Sequence, residues 1–135
     1  MTDADLLAEA EAARAAAYAP YSNFQVGAAL LAEDGAIQRG VNVENAAYPA
    51  GICAERAAIA AAVTAGRQRF TAIAVAGPDG VAITPCGICR QVLSEFSPDG
   101  SLRVIARDAA GAIRATTIAA LLPGAFGPGD LTAAR

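Results

Sequence analysis

All three cysteines of this 135-residue chain fall in two short stretches, Ile52-Cys53-Ala54-Glu55-Arg56 and Pro85-Cys86-Gly87-Ile88-Cys89-Arg90, each where the pattern starts a helix. If the three thiols serve one ion, the fold must bring two helix N-termini together. Helix starts carry about half a positive charge and free N–H groups, and they lower the pKa of a cysteine placed there. Zinc takes thiolates readily; closed structural sites use four protein ligands, whereas catalytic sites commonly supply three and leave the fourth position to water. With no histidine in the chain, three cysteine ligands and one open position is the natural reading. Two plainer readings compete: a lone C-x-x-C serves as a redox motif elsewhere, and a buried cysteine is often only a small apolar side chain. Against redox stands the third cysteine, which precedes Ala54-Glu55 at the start of a different helix.

Residues two apart on a helix do not share a face, so Glu55 leans away from Cys53 toward the open position. It is the acid/base candidate, with a pKa raised by burial. Its plainer role is a carboxylate in a helix's first turn, favourable with the dipole. Three thiolates on a dication leave one excess negative charge. Arg56 and Arg90 are placed to offset it or to donate to sulfur; their plainer role is a surface ion pair.

At 55% apolar and 17% charged residues, the chain reads as one domain over 1–135. An expected radius of gyration of about 14 Å leaves little room for a closed pocket, which makes a subunit boundary an attractive place for a site. The net charge of -3, with ten scattered arginines and no lysine, argues against a nucleic-acid surface. No window reaches the roughly 18 apolar residues of a membrane span and no basic, greasy leader opens the chain, so a cytoplasmic protein is expected. Without histidine or lysine, Ser-His-Asp, Cys-His and Schiff-base machinery are excluded. A metal and carboxylates remain.

The pattern predicts a helix from Thr2 or Asp3 to about Tyr18, strands over 26–32 and 37–43 forming a hairpin, and a polar loop over 42–51. A helix over 54–65 follows, apolar on almost every face past Arg56 and therefore expected to be buried. Next come a strand over 70–76, a helix over 87–96, strands over 102–107 and 112–116, and a short helix over 118–122. The four-residue link 108–111 forces the last two strands antiparallel, since a parallel pair needs a crossover of about a dozen residues. The sum is an α/β fold, a mixed sheet with helices on its faces.

Cys53-Ala54-Glu55-Arg56 with Pro85-Cys86-Gly87-Ile88-Cys89-Arg90-Gln91 resembles the three-cysteine form of the zinc deaminase signature. Residues 21–29, Gly40-Val41-Asn42-Val43-Glu44-Asn45-Ala46 and Leu121-Leu122-Pro123-Gly124-Ala125-Phe126 are similar to the small, homotetrameric cytidine deaminases, so the resemblance spans nearly the whole chain. It implies a three-layer α-β-α sandwich around a five-stranded mixed sheet. It implies one Zn2+ per subunit on Cys53, Cys86 and Cys89, with Glu55 carrying protons to N3 and to the departing amine of cytidine or deoxycytidine in pyrimidine salvage. Asn42 and Glu44 match sugar contacts, Phe24 an aromatic of the nucleoside pocket, the Ala54 backbone a contact to the base, and Arg56 the arginine that hydrogen-bonds the thiolates. Phe126 matches a residue that reaches a neighbouring subunit's base, and a homotetramer with sites at subunit interfaces is implied. Alternatives are deamination of another aminopyrimidine compound or a nucleotide, a thiol oxidoreductase needing only Cys86 and Cys89, and a non-catalytic zinc module.

Overall fold

The structure, a computed structural model, describes residues 1–133, so the last two residues of the domain expected over 1–135 lie outside the described residues. Five strands, β1 (Gly27–Ala32), β2 (Ile37–Val41), β3 (Phe70–Ala76), β4 (Arg103–Arg107) and β5 (Ile113–Thr117), form one sheet in the order β2-β1-β3-β4-β5. All neighbours are antiparallel except β3 and β4. That one parallel step is carried by the crossover containing α3 (Gly87–Glu95), while the short link between β4 and β5 returns antiparallel as its length requires.

Strand alternation sorts the apolar residues into two layers. Ala28, Leu30, Ile73, Val75 and Val104 cluster with Ala58, Ile59 and Ala62 of α2 (Ala54–Thr64) and Leu93 of α3. Ala29, Ala72, Ala74, Ala76 and Ile105 cluster with Leu6, Leu7 and Ala10 of α1 (Asp3–Ala13). The expected three-layer α-β-α sandwich is the observed fold. Fully burying a leucine such as Leu6 or Leu7 contributes about 1.5–3 kcal/mol.

Two close approaches seat the helices. A methyl on Gly27 would lie 2.1 Å from the Ala10 carbonyl oxygen of α1, and one on Gly40 would lie 2.4 Å from both the Ala54 oxygen and the Ala58 nitrogen of α2. Only glycine admits these contacts, and the second sets the height of α2's first turn over the sheet.

The first helix stops short of the expected Tyr18. A capping box between Thr2 and Asp5 starts it, but after Ala13 there is one 3-10 turn, Arg14–Ala16, and Ala17 is extended. The cause is non-local. Tyr18 donates its N–H to the Asn42 carbonyl at 3.0 Å and accepts from the Glu44 N–H at 2.8 Å, so backbone bonds to the loop replace helical ones. On α2, Ala58, Ile59 and Ala62 are buried while Ala60 and Val63 face outward, so this chain alone covers only the helix's inner face. A short helix α4 (Ile118–Leu121) matches its expected place, whereas α5 (Pro128–Ala133) was hidden by its Gly/Pro-rich surroundings. Among the described residues no helix is long and apolar enough to cross a membrane.

Candidate metal centre and adjoining pocket

Cys53 is the N-cap of α2 and Cys86 the N-cap of α3, each in extended backbone geometry, and Cys89 lies in the first turn of α3. Residues 42–52 deliver Cys53. Val43 and Ile52 exchange both backbone hydrogen bonds at 3.0 Å, while Tyr18 braces the same loop from its other side. The three sulfurs lie within 4.8 Å of one another, and Cys53 Sγ is 3.7 Å from Cys86 Sγ. Two thiolates on one tetrahedral zinc, each about 2.3 Å from it, stand about 3.8 Å apart. The spacing and donor type therefore fit zinc.

Electrostatics point the same way. Hydrogen bonding from the Cys89 thiol, assisted by Arg56, brings Cys53 down to about 5. Cys89 is pushed up, first by that same hydrogen bond and then by burial. Between protein groups alone, one sulfur takes the charge and another keeps its proton. A cation lets all three deprotonate, which is how thiolate sites couple metal binding to proton release. Arg56 donates from Nη2 to Cys53 Sγ at 3.6 Å, while its Nε is buried without a partner among the described residues. Arg90 does not touch sulfur. It donates from Nε to the Pro85 carbonyl at 2.7 Å, from Nη1 to the Leu121 carbonyl at 2.9 Å and from Nη2 to Thr84 Oγ1 at 3.2 Å.

Glu55 is only 4% exposed. Burial raises its pKa and the charge on Cys53 adds to the rise, opposed by weaker hydrogen bonds and by Arg56. Such a carboxyl holds a proton more readily than one in water. Glu55 lines a cavity of about 510 Å³, together with Cys53, Cys86, Ala54, Arg56, Phe24, Asn42 and Glu44. Eight residues singled out in the sequence, Arg56 among them, thus meet in one pocket. Cys89, fully buried, belongs to the sulfur group without lining the pocket. Phe126 is elsewhere, 58% exposed.

The rim is fixed by its own polar groups. Asn42 Oδ1 accepts from the Val26 N–H at 2.9 Å, and its Nδ2 donates to the Phe24 carbonyl at 2.8 Å. Glu44 Oε1 accepts from the N–H groups of Tyr21 and Ser22 at 3.0 and 3.1 Å, and the Ser22 hydroxyl donates to Oε2. These bonds, Ser22's hydroxyl first, hold the Glu44 carboxyl below its ordinary range. Ser22 Oγ also accepts from the Phe24 N–H at 3.0 Å. Ser22 lies in the 21–29 stretch without a role of its own in the sequence pattern, although a hydroxyl two residues before the pocket aromatic is the signature of a side-chain turn.

The profile of the cytidine and deoxycytidylate deaminase zinc-binding region matches residues 1–104. A cytidine deaminase of Sporosarcina psychrophila is 51% identical over 127 residues, covering 94% of this chain and 93% of that protein. One from Mycobacterium tuberculosis H37Rv is 42% identical over 138 residues, covering 100% and 99%. Among solved structures, cytidine deaminase from Burkholderia pseudomallei superposes with a TM-score of 0.87 at 48% identity, covering 93% of this chain and 100% of that one.

Proposed function

The chain belongs to the cytidine and deoxycytidylate deaminase zinc-binding family, and on that premise we propose that it hydrolyses cytidine and deoxycytidine to uridine and deoxyuridine, releasing ammonia, as a single functional domain. The observation that carries this reading is a group of three sulfurs, two of which line one polar-rimmed pocket together with a buried carboxyl. Cys53, Cys86 and Cys89 would hold the zinc. Zinc in such a site supplies acidified water, a hydroxide nucleophile available at neutral pH.

The rest is work for the chain. Glu55 takes the proton that the attacking water gives up and delivers it to N3 of the ring, then takes the second proton from the new C4 hydroxyl and passes it to the departing amino group. One C4–O bond forms, the C4–N bond breaks, and the net reaction consumes one water. Arg56 offsets the excess charge of three thiolates through its bond to Cys53. Asn42 and Glu44 hold the sugar hydroxyls, since a carboxylate accepts from a hydroxyl and an amide does either. Phe24 flanks the base, and Ala54, at the pocket wall, offers its backbone to it. Phe126 serves the site of a neighbouring subunit in a homotetramer. The 58% exposure of its side chain within one chain and the uncovered Ala60 and Val63 of α2 agree with such an assembly.

Salvage of pyrimidine nucleosides in the cytoplasm is the physiological setting we infer. A nucleic-acid substrate is disfavoured by the -3 net charge and by the pairing of Arg39, Arg67, Arg103, Arg107 and Arg114 with surface carboxylates.

Loss of cytidine absorbance is the test. Cytidine and deoxycytidine turn over, whereas CMP is a poor substrate because the ionised Glu44 repels a phosphate at the sugar end. Preference for CMP contradicts the reading. Ser22→Ala, which removes the hydroxyl shared by Glu44 and Phe24, raises KM for cytidine about three- to tenfold with kcat nearly kept. An unchanged KM removes Ser22 from the rim.

A further inference from the structure

The residue after the metal-ligand candidate Cys89, and the one after that, both reach away from the pocket to the same C-terminal segment. Arg90 Nη1 donates to the Leu121 carbonyl at 2.9 Å, at the end of α4, and Gln91 Nε2 donates to the Phe126 carbonyl at 2.8 Å. Helix-end carbonyls lack intrahelical partners and favour a cation, so a guanidinium is a suitable grip there. Arg90's other two bonds, to Pro85 and Thr84, fasten the two residues before Cys86. Its fork therefore spans the approach to one sulfur and the exit of α4 in a single planar group, which lysine's point charge does not reproduce. Between the two grips lies Leu122-Pro123-Gly124-Ala125, whose residues are half-buried or exposed and whose composition offers few side-chain anchors.

We propose that Arg90 and Gln91 are positioning residues that register the 121–126 segment against the metal-bearing start of α3, so that Phe126 is presented to substrate from a fixed base. The inference rests on the role given to Phe126 above. Without these two grips the segment keeps α4's packing but loses its register at the far end. Phe126 then contributes less to holding the nucleoside, in ground state and transition state alike, which raises KM and spares kcat.

The chain contains no tryptophan, so Phe126→Trp installs a single fluorescent reporter. In that background Gln91→Met, and separately Arg90→Lys, raise acrylamide quenching and lower fluorescence anisotropy while far-UV circular dichroism is unchanged. Unaltered quenching and anisotropy in both overturn the proposal without recourse to activity. In the natural background Gln91→Met raises KM for cytidine about fivefold, and added to Phe126→Ala it raises KM no further, since both act through one ring. If Phe126→Ala raises KM but Gln91→Met does not, or if the two effects multiply, the positioning role is overturned and the reading of Phe126 stands. If Phe126→Ala leaves KM unchanged, the reading of Phe126 fails, and this proposal with it.

Discussion

Glu55→Gln abolishes turnover while leaving the zinc in place. The exchange preserves the volume of a side chain that is 4% exposed and takes away only its ability to carry a proton. General acid–base catalysis by a positioned side chain contributes about 10²–10⁴-fold, and Glu55 is asked to move protons at more than one point of the reaction. The fall in kcat therefore lies at or beyond the upper end of that range. KM stays within a few-fold, because the groups proposed to hold base and sugar are on other residues. Stability does not fall, since burial disfavours a carboxylate at this position and an amide has no charge to bury. Steady-state rates read beside metal analysis and a melting curve check all three. Activity within about tenfold of the unmodified protein removes Glu55 from the chemistry.

Gly40→Ala is expected to damage the site from beneath, through one methyl group. Its new carbon would stand 2.4 Å from the Ala54 oxygen and the Ala58 nitrogen and 2.9 Å from Ala58 Cα. All three are backbone atoms of a helix whose inner face is packed on the sheet, so no side chain can swing aside. Either α2 lifts or β2 bends. Overpacking of this kind costs about 1–3 kcal/mol and occasionally more, which lowers the melting temperature of a chain this size by about 4–12 °C. Because Ala54 directly follows Cys53, the displacement also pulls one sulfur from the other two, and zinc is lost to a chelator faster. Gly129→Ala in α5, where a methyl meets nothing within 4 Å, is the control and leaves both properties intact. A Gly40→Ala protein with unchanged melting and metal retention contradicts the close approach.

Both results depend on features that stood unequally in the sequence. The sulfur group was legible because its signal is local: cysteine beside helix-start residues, twice, with a carboxylate two positions on. The strand over 70–76 appears with those bounds as β3, and the antiparallel end of the sheet followed from a link too short for a crossover. Pairings between distant segments were not legible. Tyr18 reads as the last turn of a helix until residues 42–44 offer it a ladder, and no local pattern encodes the sheet order β2-β1-β3-β4-β5. The alanine-rich helix over 54–65 reads as buried all round, yet composition does not say whether its cover is this chain or another. Asn42 and Glu44 match sugar contacts in sequence, but their second task, pinning the 21–26 backbone, depends on a pairing between segments distant in the chain. Arg90 shows the same limit. Its position beside Cys89 suggested sulfur, and its reach took it to Leu121.

Metal content measured against turnover tests the central claim most directly. Freshly purified protein should hold about one zinc per chain, as a three-thiolate site with one open position requires. Stripping that zinc with a chelator at mildly acidic pH, where thiolates are easier to protonate, should remove cytidine turnover in proportion, and stoichiometric zinc should restore it. Full activity in protein shown by elemental analysis to be free of metal contradicts the account.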